Sequence, residues 1–389
     1  MDQTIHFKRH RAIWRFIWRP TWLWTRLRYN YHPKTQPIDG PALIVSNHVT
    51  DLDPFLVALT VKNFAYFVAS SHVFSNPKTA KLIEWAMAPI GIVKGTTAGD
   101  TALAIMRRLR KGYSVGVFAE GNRTFNGVTD EIVASTAKLA RSSGASLVTH
   151  RFRGGYLTSP RWSGSSVRRG LFTGEVVHVY SPETLKGMTV SEVADAIRAD
   201  IYENAYETQA EWNVPYKGKN LAEHLERALC LCPSCDTMGS LVSRGDEFFC
   251  TVCGLSATYT PAGYLEGENV PFHTVLDWDH WQTRKLQKRA LSADEIYLAS
   301  DTDMELFEVA GDYTEAPAAH GRMALTRDHI EIDNVCMPLS DISGMSVIGP
   351  QALIFTCRGT SYTVRSRSVR NMRKYATLYQ ILKTDTYST

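Results

Sequence analysis

Three polar turns and one cysteine-rich stretch hold the residues of this 389-residue chain best suited to chemistry. The first turn is Asn47-His48-Val49-Thr50-Asp51-Leu52-Asp53-Pro54, between an apolar run at 42–46 and a second at 55–59. The runs predict a buried strand and then a helix opened by Pro54. A carboxylate at Asp53 can hold one ring nitrogen of His48, leaving the other to take a proton from a hydroxyl. The same two residues could simply cap the helix. Asp51 is a local competitor for the orienting role. The second turn, Ile90-Gly91-Ile92-Val93-Lys94-Gly95-Thr96, brings a cation to a strand end. The third, Val117-Phe118-Ala119-Glu120-Gly121-Asn122-Arg123-Thr124, brings a carboxylate, a glycine and a guanidinium. One base and two cations suit a substrate bearing a hydroxyl and a phosphate, since Arg forks onto phosphate and Lys acts as a point charge. The plainer alternative is a surface Glu120–Arg123 ion pair with Lys94 solvated. The cysteine stretch is Cys232-Pro-Ser-Cys235 and Cys250-Thr-Val-Cys253, two Cys-x2-Cys knuckles fourteen residues apart.

The elements that must position these turns alternate. Strands are expected at 42–46, 64–70, 90–94, 114–118, 146–152 and 173–180. Helices are expected at 54–62, 77–88, 97–111, 129–143 and 190–207. This is the pattern of an α/β domain, in which ligands meet the carboxyl ends of strands. His48, Lys94, Glu120 and Arg123 all fall at such ends.

Composition sets wider bounds. A hydrophobic fraction of 44%, a charged fraction of 21% and a net charge of +4 belong to an ordinary folded protein and do not single out nucleic acid as a partner. No apolar run is long enough to span a membrane, and no secretory signal is expected. Seven cysteines, mostly clustered, fit a reducing compartment and a metal site better than a disulfide framework. Residues 1–34 are dense in Arg and Trp. On a helical wheel Lys8, Arg11, Arg15, Arg19 and Arg26 fall opposite Ile13, Phe16, Ile17, Leu23, Trp24 and Leu27, with Trp14 and Trp18 at the border. Such a segment can lie in a membrane interface with its cations on anionic headgroups; a core-packed helix with a basic face is the alternative. Pro20 predicts a break into two helices.

In this order and at these separations, the three turns resemble the motifs of the glycerolipid acyltransferase family, whose members acylate glycerol-3-phosphate and lysophosphatidic acid. His48 to Asp53 matches the family's His-x4-Asp. Gly91 to Gly95 resembles its glycine-rich second motif, with Lys94 where Arg is usual. Phe118 to Thr124 keeps the Phe, Glu, Gly and Arg of Phe-Pro-Glu-Gly-Thr-Arg-Ser and departs at Ala119, Asn122 and Thr124. A fourth motif near Leu147-Val148-Thr149-His150 is poorly matched. The resemblance covers about residues 35 to 210. It implies that His48 is the general base and Asp53 its orienting partner. Lys94 and Arg123 would hold the acceptor phosphate, and Glu120 and Gly121 would shape the acceptor site. The implied co-substrate is acyl-coenzyme A or acyl-carrier protein, and the implied acceptor is lysophosphatidic acid. The implied location is the cytoplasmic face of the cell membrane, held peripherally. Acylation of another lysophospholipid or glycolipid is the neighbouring reading, and a non-catalytic lipid- or nucleic-acid-binding adaptor the distant one.

The α/β domain is expected over 35–215, a zinc ribbon over 225–262 and a β-rich domain over 265–389. Two knuckles donating Cys232, Cys235, Cys250 and Cys253 make a closed, structural zinc site. Cys230, two residues before the first ligand, is read as a bystander. Short alternating segments from 304 to 364, followed by a helix over 369–383 with Met372, Tyr375, Ala376, Tyr379 and Leu382 on one face, resemble a pleckstrin-homology-like barrel in architecture.

Overall fold

A computed structural model describes residues 6–69, 77–91, 98–164, 166–292, 295–311, 314–349, 352–368 and 370–386. The chain forms two units. The first comprises the chain up to Pro160 together with Val167–Lys217, and the second comprises Arg161–Ser166 with Gly218–Thr389.

In the first unit the helices are α1 (Phe7–Tyr29), α2 (Asp53–Val61), α3 (Pro77–Met87), α4 (Ala98–Arg110), α5 (Ser135–Ser142), α6 (Gly155–Thr158), α7 (Pro182–Gly187), α8 (Val190–Ile201) and α9 (Ala205–Trp212). The strands are β1 (Tyr31–Lys34), β2 (Ala42–Ser46), β3 (Ala65–Ala69), β4 (Ile90–Gly91), β5 (Ser114–Phe118), β6 (Ser146–Arg153) and β7 (Phe172–Tyr180). They form one sheet in the order β1-β7-β6-β2-β5-β3-β4. β2 runs parallel to both neighbours, pairing Ser46 with Phe118 on one side and His150 on the other. All five residues of β2 are buried, as its apolar run 42–45 requires of a strand covered on both faces. Its carboxyl end therefore delivers Asn47 and His48 from the rigid centre of the sheet, beside the end of β5 that delivers Glu120.

Four expectations change. The break at Pro20 is absent, because α1 runs through it. Pro20 is exposed, as is Phe16 one turn earlier at 83%, so the carbonyl that loses its N–H partner faces solvent rather than core. His10, Trp14 and Thr25 are buried on either side of the proline and hold both halves in line. The apolar residues of α1 are also divided. Phe7, Ile17 and Trp18 pack with Trp14 on the core, while Phe16, Leu23, Trp24 and Leu27 remain exposed. The helix expected over 129–143 begins only at Ser135, since the preceding loop is tied down by Glu120 and by Thr129, whose N–H donates to the Glu203 carbonyl (3.0 Å). The helix expected over 190–207 stops at Ile201 and restarts at Ala205, where the Asn204 side chain caps α9 by accepting from the Tyr206 N–H.

The second unit holds β8 (Leu241–Arg244), β9 (Glu247–Cys250), β10 (Ser256–Tyr259) and β11 (Leu265–Glu266), then helix α10 (Val275–Leu291). After α10 come β12 (Ala299–Val309), β13 (Glu315–Leu325), β14 (His329–Ile332), β15 (Val335–Pro338), β16 (Ile342–Ile348), β17 (Ala352–Cys357) and β18 (Thr360–Ser366), closed by α11 (Arg373–Thr386). The four short strands form one antiparallel sheet and the last seven another, in the order β15-β14-β13-β12-β18-β17-β16. Met372, Tyr375, Leu378 and Tyr379 of the closing segment are buried. Alternation within β14 and β17 puts every second residue inside, the pattern that made these strands readable.

Candidate active site and candidate metal centre

Asp53 opens α2 and is fully buried. Its Oδ2 accepts from His48 Nδ1 (2.8 Å) and from the Val49 N–H (2.6 Å). Its Oδ1 accepts from the Thr50 N–H (3.0 Å) and the Thr50 hydroxyl (2.6 Å). The carboxylate thus orients the imidazole and ties the loop before the helix; no side chain caps α2, so of the two readings of the pair the cap is not formed. Nδ1 is fixed as the donor, which leaves Nε2 as the acceptor in the neutral ring. The ring stacks on Phe118 (4.2 Å, 16°) and keeps 21% of its surface exposed. Asp51 does not compete for the ring: it is 84% exposed and accepts from Arg123 Nη1 (2.9 Å).

Arg123 is held by main chain as well. Its Nε donates to the Val49 carbonyl (3.0 Å) and its Nη2 to the Ser159 carbonyl (2.9 Å). The Glu120–Arg123 ion pair is not formed. Glu120 turns inward, accepting from the His48 N–H at Oε1 (2.6 Å) and the Asp130 N–H at Oε2 (2.8 Å). Burial pushes its carboxyl well above the ordinary carboxylate range despite those two bonds. Gly121 takes φ +70° and its N–H donates to the Phe118 carbonyl (3.1 Å), a turn that a side chain would strain. Lys94 lies outside the described residues. His48, Asp53, Glu120, Gly121 and Arg123 are therefore brought together around one strand end.

The sequence reading gave Asn47 no role. It is buried, and its side chain bonds both polar groups of Phe152: Nδ2 donates to the carbonyl (3.0 Å), and Oδ1 accepts the N–H (2.8 Å). A polar residue directly before the histidine, after the apolar run 42–45 and Ser46, is the signal of this that the sequence carried.

In the second unit the sulfurs of Cys232, Cys235, Cys250 and Cys253 all lie within 4.8 Å of one another. The Cys232–Cys253 and Cys235–Cys250 separations are 3.6 and 3.7 Å. A tetrahedron with Zn–S bonds of about 2.3 Å has edges of about 3.8 Å, so the donor set fits that ion. Cys230 stands apart, buried, with its N–H donating to Gln282 Oε1 (2.8 Å). Helix α10 braces the first knuckle: Trp278 Nε1 donates to the Leu231 carbonyl (2.9 Å), and Lys285 Nζ donates to Asp236 (2.7 Å).

Residues 28–153 match the acyltransferase family model. Within that class the chain is similar to the chloroplastic 1-acyl-sn-glycerol-3-phosphate acyltransferase LPAT1 of Arabidopsis thaliana, at 26% identity over 167 residues. That alignment covers 41% of this chain and 46% of the relative, so the chain spans about half of the relative's length. Among solved structures, the 1-acyl-sn-glycerophosphate acyltransferase PlsC of Thermotoga maritima aligns with a TM-score of 0.43 at 15% identity, over 51% of this chain and 81% of that one.

Proposed function

We propose that the first unit is a 1-acylglycerol-3-phosphate acyltransferase-like enzyme that moves a fatty acyl chain from acyl-coenzyme A or acyl-carrier protein to the free hydroxyl of lysophosphatidic acid, giving phosphatidic acid. The observation that carries this is the His48–Asp53 pair, an oriented imidazole at a sheet end within the segment that matches the acyltransferase family model. His48 Nε2 takes the hydroxyl proton as the oxygen attacks the thioester carbonyl. The C–S bond then breaks, and the leaving thiolate takes the proton back from the imidazolium. Such general-base assistance is worth about a hundred- to ten-thousand-fold, with positioning of the two substrates supplying much of the rest. Arg123 would meet the acceptor phosphate by exchanging the exposed carboxylate of Asp51 for it, with Lys94 as a second cation.

The exposed Phe16, Leu23, Trp24 and Leu27 of α1, with Arg15, Arg19 and Arg28 also exposed, support a peripheral seat on an anionic membrane. No helix among the described residues is long and apolar enough to cross one. The seat in this reading is the cytoplasmic face of the cell membrane. In the second unit the four thiolates would hold a structural zinc ion, and the seven-stranded sheet with its closing helix supports a pleckstrin-homology-like architecture.

An acceptor panel tests the activity. Purified protein is given radiolabelled acyl-coenzyme A or acyl-carrier protein with lysophosphatidic acid, other lysophospholipids, or glycolipids. Phosphatidic acid as the dominant product supports the reading. Preference for another acceptor moves it to the neighbouring one, and no product with any acceptor overturns it.

A further inference from the structure

The His48 main chain is held from both sides by buried polar side chains: Asn47, the residue before it, ties the chain to β6, and Glu120, past the end of β5, bonds the His48 N–H itself. The β2–β6 ladder ends at Ser46↔His150. The Asn47 amide then takes both the N–H and the carbonyl of Phe152, the two groups that a further strand residue would have bonded. From the other neighbouring strand, Glu120 reaches across to accept the His48 N–H, and its second oxygen anchors the loop at Asp130. Asn47 is 1% exposed and Glu120 9% exposed. Both Glu120 oxygens already accept main-chain donors, so the buried carboxyl is committed to holding the main chain.

We propose that Glu120 and Asn47 are positioning residues that fix the main chain of the catalytic histidine, and that Glu120 is not an acceptor ligand. Its kinetic consequence rests on the acyl-transfer reading; its structural consequence does not. Displacement of the base by about 1 Å can cost on the order of a hundredfold in rate, so turnover should fall while acceptor affinity holds.

The test has two arms, read on the full chain. In the first, hydrogen exchange followed by mass spectrometry measures the peptide spanning His48 and that spanning Asp130 in wild type, Glu120→Ala, Glu120→Gln and Asn47→Ala. Exchange at His48 should accelerate at least tenfold in Glu120→Ala. Glu120→Gln can satisfy only one of the two donors, so one of the two peptides should accelerate and the other should not. In the second arm, kcat for acyl transfer to lysophosphatidic acid should fall about a hundredfold in Glu120→Ala and about tenfold in Glu120→Gln, with acceptor KM within twofold of wild type. An acceptor ligand would behave oppositely, with KM rising tenfold or more. A KM rise of that kind, or His48 exchange unchanged in a folded Glu120→Ala, overturns the proposal. Where the alanine variant does not fold, the glutamine variant decides by the same two readouts. A wild type inactive on every acceptor defeats the functional reading and leaves the exchange arm to decide this one.

Discussion

Asp53→Asn is the substitution that separates a loop anchor from a catalytic orienter. The native carboxylate accepts from four donors, the His48 ring and Val49 N–H at Oδ2, the Thr50 hydroxyl at Oδ1, and the Thr50 N–H shared between both oxygens (3.0 Å to each). An asparagine keeps one acceptor oxygen, so one bond is lost if the NH2 takes the place of Oδ1 and two if it takes the place of Oδ2. Hydrogen bonds to a charged group contribute about 1.5–3 kcal/mol each, so the expected destabilisation is about 1.5–6 kcal/mol against a typical stability of about 5–15 kcal/mol. The kinetic effect has a separate cause. If the NH2 faces the ring, it reverses the Nδ1 bond and favours the tautomer with the proton on Nε2, which cannot serve as a base. Acyl transfer should then drop by about a hundred- to ten-thousand-fold at a temperature where the variant is still folded. The assay is steady-state transfer to lysophosphatidic acid beside a thermal melt, with Asp51→Asn as the comparison. Asp51 is exposed, and a surface ion pair of this kind contributes about 0–1 kcal/mol, so its loss should leave the melt nearly unchanged. A folded Asp53→Asn protein within threefold of wild type would refute the orienting role.

Three further outcomes follow from other parts of the molecule. Replacing Phe16, Leu23, Trp24 and Leu27 together by serine should reduce co-sedimentation with anionic vesicles more than a hundredfold, because burying each such side chain contributes about 1.5–3 kcal/mol; unchanged sedimentation would remove α1 as the membrane contact. Elemental analysis should find one zinc per chain, and Cys232→Ser with Cys235→Ser should abolish it; metal retained by the double variant would contradict the four-cysteine site. Burial raises the Glu203 carboxyl to about 7 from an ordinary 4.5. Between those values the folded protein keeps a proton that the unfolded chain has lost, so stability falls as pH rises, by about 3 kcal/mol in all. Glu203→Gln should therefore be more stable than wild type at pH 8 and lose that advantage near pH 4.5; a gap independent of pH would contradict the shift.

Where the sequence was legible, local pattern and tertiary structure asked for the same thing. β2 is apolar up to Ser46 and buried throughout, and β14 and β17 alternate as their burial does. The His48–Asp53 spacing could be read because five residues span one strand end and one helix turn. The four cysteines could be read because metal ligation constrains spacing so tightly. What stayed hidden was set by partners distant in sequence. The helix runs through Pro20 because buried side chains on both flanks outweigh one lost hydrogen bond, which no local rule reports. Glu120 and Arg123 stand three residues apart and look like partners, yet the turn at Gly121 sends one inward to His48 and the other to Val49, Asp51 and Ser159. Asn47 finds Phe152 at a separation of 105 residues, a pairing fixed by strand order alone.

The most direct measurement is the rate of labelled acyl transfer from acyl-coenzyme A to lysophosphatidic acid by wild type and by His48→Ala, with matched thermal melts. The account expects phosphatidic acid from the wild type and a loss of at least about a hundredfold in a folded His48→Ala protein. Turnover retained by that variant would contradict the assignment of His48 as the base.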